Sequence, residues 1–350
     1  GYRVISMTVK NIDIVIVGFG TVGRSLAKLL AFKNERLQRK YNVRVNVLAV
    51  MDSKGAAISE KGFSSYELLK LCELPRSSVS SYEPYGLPSA KLKDIYSRIL
   101  PNIHIEVTPS NYDTGEPGLS NILYAIENNV NVVSSNKAPF VLKYKEIMDL
   151  ALKRNVHVRF KATVMAGTPL IDLLKGLKGY EIECIEGILN GTTNFILTEM
   201  HENLLSYKEA LKKAQALGIA EANPDLDVKG WDPAAKLVII SNVIGEPIKL
   251  NDVERDDLSK LDIKDVYKAI KENMVIKFVA KLNVKEKKAS VKLSKIPKGD
   301  IFSLVNGMLN AVRIETEVNK ITLVGKGAGG PETAHAVLDD IISIAKVIKG

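Results

Sequence analysis

The sequence predicts an α/β protein of two domains: a parallel sheet wrapped by helices, then an α+β domain whose sheet is mainly antiparallel. Over residues 1–160, short apolar runs alternate with amphipathic segments, which is typical of strands joined by crossover helices. After Gly167 the alternation stops and strand-like runs follow one another more closely. The chain has 350 residues, of which 46% are hydrophobic and 25% charged, so disorder is not expected and a core can form.

The predicted elements follow from these runs. In the first part, strands are expected at 12–17, 43–51, 103–107, 130–135 and 156–161. Helices are expected from Gly23 onward, at 64–72, 90–100 and 118–129, and from Pro139 to about residue 153. The second part is expected to hold helices at 168–177, 192–217 and 231–243, strands at 182–189, 274–285, 288–293 and 309–324, and a last helix at 332–348.

Charge and composition limit the partners and the location. The net charge of +9 favours anionic small molecules. No basic helix or aromatic strand motif predicts nucleic acid binding, and no apolar run reaches the ~18 residues of a membrane span. The residues up to Met7, an alternative start, lack a signal-peptide pattern. Cys72 and Cys184 lie in unrelated contexts, so a reducing, cytoplasmic location is expected.

Two classes of catalytic site are not supported by the sequence. The four histidines are scattered without metal-ligand spacing, so each is expected to be structural. There is no Gly-x-Ser-x-Gly turn and neither cysteine has a nucleophile's surroundings, so acyl-enzyme chemistry is not expected.

A glycine-rich turn joins the first predicted strand to the first predicted helix. Gly18 permits the tight turn, Gly20 lets backbone amides approach a pyrophosphate, and Gly23 lets the helix pack closely on the strand. The positive end of the helix dipole favours phosphates. This context predicts a Rossmann-type dinucleotide-binding domain; a tight turn without a ligand is the alternative. The residues assigned to the cofactor here are Gly18, Phe19, Gly20, Thr21, Val22 and Gly23.

The second predicted strand ends at Asp52, Ser53 and Lys54, where the adenosine ribose of a dinucleotide would lie. Asp52 is expected to bind the ribose hydroxyls of NAD, unless it is an ordinary turn acid. Lys54 can instead meet the 2′-phosphate of NADP. The sequence therefore predicts NADP or NAD and leaves the choice open.

Two further motifs follow predicted strands. Residues 136–139 (Asn-Lys-Ala-Pro) lie where open α/β sheets bind ligands, and capping of the next helix by Asn136 or Ser135 is the alternative. In residues 190–195 (Asn-Gly-Thr-Thr-Asn-Phe), Gly191 and its neighbours can offer backbone amides to a carboxylate. Here the alternative is that the segment only caps a helix through one of its threonines.

Four carboxylates lie in the run from Glu221 to Asp232. Proline and glycine interrupt this run, so residues 221–230 are expected to form a loop. Asp232 and Pro233 are expected at the N-cap and the first position of a helix, with Lys236 one turn later on the same face. The cluster is typical of a polar site for a small, partly cationic ligand, and capping alone is the alternative for Asp232.

Taken together, these motifs resemble homoserine dehydrogenases. The matching motifs, in family order, are Gly-Phe-Gly-Thr-Val-Gly, Ser-Ser-Asn-Lys-Ala-Pro, Ala-Thr-Val-Met-Ala-Gly-Thr-Pro, Gly-Ile-Leu-Asn-Gly-Thr-Thr-Asn-Phe-Ile-Leu, the acidic run through Lys236, and Gly-Lys-Gly-Ala-Gly-Gly. The resemblance implies reversible NAD(P)H-dependent reduction of L-aspartate 4-semialdehyde to L-homoserine, in threonine and methionine biosynthesis. It also implies a homodimer, a dinucleotide-binding domain at 1–160 and 325–350, and a catalytic and dimerisation domain at 161–324.

The resemblance further implies roles for individual residues. Lys137 and Lys236 would be the catalytic lysines; which of them transfers the proton is left open, and we hypothesise that Lys137 is the main proton donor and acceptor and that Lys236 orients or polarises the oxygen. Asp232 would support the geometry of hydride transfer. Two lysines suit this chemistry, because hydride delivery to an aldehyde develops an alkoxide that needs a cation and a proton. The other implied assignments are Glu221 and Asp227 for the substrate ammonium, Gly191 and Thr192 for the substrate carboxylate, and Thr108, Asn136, Gly327, Ala328 and Gly329 for the cofactor.

The chain departs from the family pattern in two residues and in its extent. Lys161 stands where the family usually has an acid that helps backbone carbonyls to hold a monovalent cation. The carbonyls of Val164, Ala166 and Thr168 are the candidate metal ligands, with the Lys161 ammonium as the alternative occupant. Ile219 replaces a common aromatic. After the last helix there is no room for the C-terminal regulatory domain of some members, so a short form is expected.

Two alternative functions differ in what they require. Another amino-acid or semialdehyde dehydrogenase of the acylating type would need a cysteine nucleophile beside a base, which the sequence lacks. A non-catalytic NAD(P)-binding sensor is expected to have lost the lysines and acids of the second domain, and these are present.

Overall fold

The computed structural model of the protein describes residues 8–349, so the alternative start at Met7 lies outside the described residues. The chain divides into two compact units. Unit 1 comprises the residues up to Thr163 together with those from Gly330 onward, and unit 2 is Val164–Gly329. None of the helices within residues 8–349 is both long and apolar enough to cross a membrane.

Unit 1 is built on a seven-stranded sheet. Its strands are β1 (Lys10–Val17), β2 (Val43–Asp52), β3 (Gly55–Ile58), β4 (Gly86–Pro88), β5 (Ile103–Glu106), β6 (Asn131–Ser134) and β7 (Val158–Arg159). Their order is β4-β3-β2-β1-β5-β6-β7; β1, β2, β5, β6 and β7 are parallel, whereas β3 and β4 form an antiparallel extension. From β1 the chain continues to β2 on one side of the sheet. From β5 it continues to β6 on the other side. The carboxyl ends of β1 and β5 therefore form the switch point at which open sheets bind ligands.

Helices cover both faces of this sheet. They are α1 (Thr21–Tyr41), α2 (Ser65–Glu73), α3 (Leu92–Arg98), α4 (Gly118–Glu127), α5 (Ala138–Leu142), α6 (Tyr144–Arg154) and α13 (Gly330–Ala345). On one face Ile14 and Ile16 of β1 pack in a core cluster with Leu26 of α1 and Ile341 of α13. The other side of β1 belongs to a second cluster that includes Ile95 of α3. Because β1 is buried on both faces, its near-continuous apolar sequence is what a central parallel strand requires.

The last helix of the chain belongs to unit 1, where it packs against α1. Its Asp340 is fully buried, accepts a bond of 2.7 Å from Nε of Arg159, and accepts another of 2.9 Å from the backbone N–H of Lys161. Burial raises the pKa of Asp340, and the charge of Arg159 counteracts that effect. A buried carboxylate therefore joins α13 to the end of β7.

Unit 2 has a six-stranded sheet and helices that pack on it. The strands are β8 (Ile182–Ile188), β9 (Glu254–Arg255), β10 (Met274–Asn283), β11 (Lys288–Pro297), β12 (Leu309–Thr316) and β13 (Lys320–Lys326), in the order β13-β12-β8-β10-β11-β9. All neighbours are antiparallel except β11 and β9. The helices are α7 (Leu170–Gly176), α8 (Gly191–Glu202), α9 (Tyr207–Ala216), α10 (Asp225–Val228), α11 (Trp231–Val243) and α12 (Ile263–Lys271). The predicted fold class is confirmed.

Several predicted elements differ in detail. β3, β4, β9, α10 and α12 were not predicted. The helix expected at 192–217 is two helices, because Ser206 forms a capping box with Glu209 and starts α9 anew. The helix expected to continue to about residue 153 is interrupted at Lys143, and the strand expected at 156–161 is only Val158–Arg159.

Candidate active site

The glycine-rich turn lies at the end of β1, beside the end of β5. A Cβ on Gly18, whose φ is 99°, would lie 2.7 Å from the carbonyl oxygen of Val107, and one on Gly23 would lie 2.3 Å from the carbonyl oxygen of Gly18. Gly20 is the N-cap of α1, which has no acidic residue in its first turn. The missing side chains and the uncompensated helix N-terminus fit a cradle for an anionic phosphate group.

Two arginines surround this turn, and neither was predicted. Arg24 is buried, and its Nε donates to the carbonyl of Phe19 at 3.0 Å while its Nη1 donates to Leu74 at 2.7 Å. It thereby ties the segment after α2 to the turn. Arg76, on that segment, is exposed, and its Nη2 lies 3.3 Å from Oγ1 of Thr21. Nothing in the sequence signals Arg76, because it lies 55 residues from Thr21.

The carboxylate of Asp52 accepts hydrogen bonds from the backbone of the residues that follow it. One oxygen accepts from the backbone N–H of Lys54 at 2.9 Å, and the other from that of Val79 at 3.1 Å. Ser53 approaches Ser77 with 3.4 Å between their hydroxyl oxygens. These contacts match the turn-acid alternative, and the predicted ribose contact of Asp52 stays a prediction.

Asn136 organises the ends of β5 and β6. It is 1% exposed, its Nδ2 donates to Oγ1 of Thr108 at 3.0 Å, and its Oδ1 accepts from Ser110 at 3.0 Å and from the N–H of Ala138 at 3.2 Å. Ser110 in turn accepts from the backbone N–H of Lys137 at 3.0 Å. The N-cap of α5 is Lys137 and no side chain caps this helix, so the expected capping by Asn136 or Ser135 is wrong; Asn136 instead joins the predicted residues Thr108 and Lys137 in one loop cluster.

A buried polar network underlies this cluster, and sequence reasoning missed it. Glu106 is fully buried; its Oε1 lies 2.8 Å from Nε2 of His104, and its Oε2 accepts from the hydroxyl of Thr108. Nδ1 of His104 lies 3.1 Å from the hydroxyl of Tyr96. The alternation of His104 and Glu106 along β5 was the available signal, since both side chains point to the same face.

In unit 2, α11 presents Asp232 and Lys236 on one face. Lys236 is 6% exposed, its Nζ lies 2.8 Å from Oδ2 of Asp232, and it donates to the carbonyl of Leu189 at 2.5 Å. The predicted N-cap role of Asp232 is wrong: α11 begins at Trp231, and its N-cap is Gly230 with φ 77°. Glycine suits that left-handed position, which leaves the Asp232 carboxylate to pair with the lysine.

The loop before α11 brings a second carboxylate to the same place. Asp227 accepts a bond of 2.7 Å from Nδ2 of Asn190, and Asp232 accepts one of 2.9 Å from the same nitrogen. Burial raises the pKa of Asp227, as does the charge of Asp232, whereas Asn190 and Lys236 counteract the shift. This part of the chain was expected to be a loop, but Asp225–Val228 form one helical turn.

The other two acids of the run are farther out. Glu221 is exposed, and its charge also raises the pKa of Asp227. Asp225 pairs with Lys229 at 3.1 Å on the surface. Of the four carboxylates, Asp227 and Asp232 therefore form the core of the cluster.

The N-terminus of α8 faces this cluster. Asn190 is its N-cap and accepts from the N–H of Thr193 at 2.9 Å, so the expected capping by a threonine side chain is wrong. A Cβ on Gly191 would lie 2.9 Å from the carbonyl oxygen of Met308. The hydroxyl of Thr192 donates to the carbonyl of Ile219 at 3.2 Å, which ties α8 to the segment before Glu221.

The second glycine-rich segment follows β13. A Cβ on Gly327 would lie 1.9 Å from Nδ2 of Asn310. Asn310 is 1% exposed, and neither polar atom of its carboxamide has a hydrogen-bond partner within residues 8–349. Ala328 and Gly329 are exposed. The predicted cofactor contacts of Gly327, Ala328 and Gly329 stay predictions.

The candidate cation ligands lie in an unusual turn. Met165 and Ala166 are buried and have positive φ, 56° and 28°, a strained conformation for residues other than glycine. The N–H of Thr168 donates to Met165 at 2.6 Å. Backbone carbonyls suit a hard monovalent ion. Within residues 8–349, no group of three or more His, Cys, Asp or Glu side chains is placed to hold a metal. In unit 1, Nζ of Lys161 lies 3.4 Å from Asp339.

Comparison with known proteins decides the family. The family model described as homoserine dehydrogenase matches residues 169–342. A homoserine dehydrogenase of Methanocaldococcus jannaschii is 39% identical over 337 residues, which are 95% of this chain and 98% of the relative. The chain belongs to the homoserine dehydrogenase family.

Two other members of the family support the same conclusion. An NAD(+)-dependent homoserine dehydrogenase of Pseudomonas canavaninivorans is 35% identical, over 95% of each chain. A solved structure of a hyperthermophilic archaeal homoserine dehydrogenase in complex with NADPH superimposes with a TM-score of 0.82 at 32% identity, and the match covers 97% of this chain and 99% of that one. The chain is thus an oxidoreductase of the homoserine dehydrogenase family, as its motifs predicted.

Proposed function

We propose that this chain catalyses the reversible reduction of L-aspartate 4-semialdehyde to L-homoserine with NADPH or NADH. The observation that carries the proposal is the cluster of Asp227, Asp232 and Lys236 around Asn190, beside the N-terminus of α8. Carboxylates can bind the ammonium of an amino acid, and a helix N-terminus can bind its carboxylate. Lys236 adds a buried cation for an oxygen on which negative charge develops.

The direct test follows reduced nicotinamide by its absorbance. Purified protein is mixed with NADP or NAD and L-homoserine, and the reverse reaction is started from the semialdehyde. We expect turnover in both directions. Binding of the nucleotide without turnover would contradict the proposed activity and favour a sensor.

The cofactor is proposed to bind at the turn of unit 1, through residues 18–23. When bound in its reduced form, the nicotinamide supplies the hydride. Thr21, at the start of α1, and Arg76, whose guanidinium is beside it, can bind phosphate oxygens, and Lys54 can meet a 2′-phosphate. Asp52, Ser53, Thr108 and Asn136 are proposed to complete this set.

Two glycine variants separate folding from cofactor binding at this turn. Gly23→Ala places a methyl group 2.3 Å from a backbone oxygen, so we expect a loss of about 1–3 kcal/mol in the free energy of unfolding, measured in urea. Gly20→Ala meets only Nη1 of Arg76, at 3.3 Å, which can move away. This variant should keep its stability and lose about tenfold or more in NADP affinity, measured by titration calorimetry. Equal NADP affinity in Gly20→Ala and wild type would argue against a phosphate at this turn.

Within unit 2, Glu221 and Asp227 are proposed to bind the substrate ammonium, and Gly191 and Thr192 its carboxylate. The support is their placement around one cluster: Thr192 is tied to Ile219, just before Glu221, and Asp227 is tied to Asn190, just before Gly191. Asp232 is proposed to fix Lys236, with which it pairs at 2.8 Å.

Lys137 is proposed as the main proton donor and acceptor, and Lys236 as the residue that polarises the reacting oxygen. Lys137→Ala should lower kcat for L-homoserine by about 10²–10⁴-fold, because a general acid–base group is lost. NADP affinity is the control and should stay near that of wild type. Near-normal turnover in Lys137→Ala with cofactor bound would remove Lys137 from this role.

Three further properties are proposed on the same basis. The strained turn at Val164–Thr168 holds a monovalent cation through backbone carbonyls, which replacement of K⁺ by a large organic cation in the assay would test. The protein is a homodimer formed through unit 2, which light scattering would test. It acts in the cytoplasm, in threonine and methionine biosynthesis; its two cysteines are free thiols, as a reducing compartment requires.

A further inference from the structure

One asparagine links the two acids of the cluster in unit 2 to the N-terminus of α8. Nδ2 of Asn190 donates to Asp227 at 2.7 Å and to Asp232 at 2.9 Å. Its Oδ1 accepts from the N–H of Thr193 at 2.9 Å and lies 3.0 Å from the hydroxyl of the same threonine. Asn190 is 6% exposed, so these bonds are shielded from water.

The hydrogen bonds of Asn190 use both hydrogens and the oxygen of its carboxamide. The two hydrogens of Nδ2 serve one carboxylate each, and the oxygen caps α8. The preceding carbonyl, that of Leu189, accepts from Lys236 at 2.5 Å. Three components therefore meet at residues 189–190: the N-terminus of α8, the two acids and the buried lysine.

The chemistry of the two acids explains why a donor is needed between them. Two carboxylates that share a site repel, and the pair then tends to hold a proton. A neutral donor of two hydrogen bonds favours the ionised form of both carboxylates and fixes their separation. The cap alone does not explain the choice of asparagine, because aspartate and serine cap helices about as well.

We infer that Asn190 is a positioning residue of the reaction: it holds Asp227 and Asp232 at a fixed distance from the N-terminus of α8. This link fixes the relative positions of three groups. They are Asp227, which binds the substrate ammonium, the N-terminal amides of α8, which bind its carboxylate, and Asp232, which pairs with Lys236. The inference rests on the proposed function, since it concerns the same substrate.

Two substitutions remove the bridge and keep the cap. Asn190→Asp is isosteric and replaces the donor by a third carboxylate, and Asn190→Ser caps the helix without reaching both acids. We expect kcat/KM for L-homoserine to fall about 10–100-fold in Asn190→Asp and less in Asn190→Ser, with NADP affinity unchanged. In Asn190→Asp the acid limb of the pH profile should move to higher pH, because three neighbouring carboxylates retain a proton more strongly.

The matched control adds a charge at an exposed asparagine elsewhere in unit 2. Asn251 is exposed, and Asn251→Asp should leave kcat/KM and its pH profile as in wild type. Wild-type kcat/KM and an unmoved acid limb in both Asn190 variants would overturn the inference and reduce Asn190 to a helix cap.

A measurement without turnover keeps the two hypotheses apart. In protein labelled with ¹³C at the aspartate carboxyl groups, the signal of Asp227 should titrate at higher pH in Asn190→Asp than in wild type. An unchanged titration overturns the inference. Absence of homoserine oxidation in the wild-type protein, with the titration shifted as expected, would instead sink the proposed function alone.

Discussion

Two lysines of unit 2 are buried, and their surroundings are opposite. Lys236, on α11, is 6% exposed and pairs with the carboxylate of Asp232 at 2.8 Å. Lys277, on β10, is 1% exposed, and the contacts of its Nζ are neutral oxygens: the carbonyl of Val305 at 2.6 Å and the side-chain Oδ1 of Asn194 at 3.2 Å. Burial of a lysine is therefore not in itself a sign of catalysis; its partners distinguish the two cases.

The groups around each buried lysine also determine the pKa of its ammonium and its effect on neighbouring charges. Burial lowers the pKa of Lys277 to about 8, because the ammonium is removed from water without a carboxylate bonded to it, and the charge of Glu202 counteracts this only in part. The charge of Lys277 in turn helps burial to lower the pKa of His201 to about 4. Lys277 joins α8 to the segment before β12 through neutral oxygens, whereas Lys236 lies in a charged cluster at a helix end.

The largest effect that this comparison predicts is the loss of Lys236. Lys236→Met removes the cation beside Asp232 and should lower kcat for L-homoserine by about 10²–10⁴-fold. Stopped-flow absorbance of reduced nicotinamide measures it. Lys277→Met is the matched buried control and should lose far less activity; equal losses in both variants would show that the partners of a buried lysine do not determine its role.

A smaller effect is expected on the pH dependence of stability. The folded-state pKa of Lys277, about 8, lies below the ordinary value of 10.5, so between these two values the unfolded chain binds more protons. The contribution of this lysine to the free energy of unfolding should therefore rise with pH from 8 to 10.5, by at most about 3 kcal/mol. Urea unfolding of wild type and Lys277→Met at pH 7, 8.5 and 10 measures it. The difference between the two proteins must change across that range, and parallel curves would contradict the lowered pKa.

The smallest effect is expected for a lysine on the surface. Lys292 pairs with Glu254 at 2.8 Å, but both side chains are at least half exposed. Water and salt screen such a pair, so Lys292→Ala should have the urea midpoint and the turnover of wild type. A clear loss of stability in Lys292→Ala would show that burial is not what decides how much a lysine contributes to the free energy of unfolding.

The sequence predicted best where one segment carries its own signal. The turn at Gly18–Gly23 follows an apolar strand and opens an amphipathic helix, and the structure has it at the switch point of the sheet. Helix α12 was missed although Asp262 caps it and Val266 and Ala269 are buried on one face. Strands β3 and β4, with four and three residues, are too short to show a period and depend on pairing with β2.

The site was predictable as a set of residue types but not as a set of contacts. Asp227, Asp232 and Lys236 stand close together in the sequence, so their cluster was expected. Asn190 is 37 residues from Asp227, and only the packing of α8 beside α10 brings them together. Likewise Gly230 took the cap position expected for Asp232, because a left-handed residue was needed there.

The return of α13 to unit 1 sets an order for synthesis on the ribosome. Unit 2 is one continuous stretch and can close as soon as Gly329 has emerged, whereas the sheet of unit 1 lacks one covering helix until Ala345 has been made. The rest of unit 1 must therefore wait, with the side of α1 that packs against α13 uncovered, while about half of the polypeptide is still being translated.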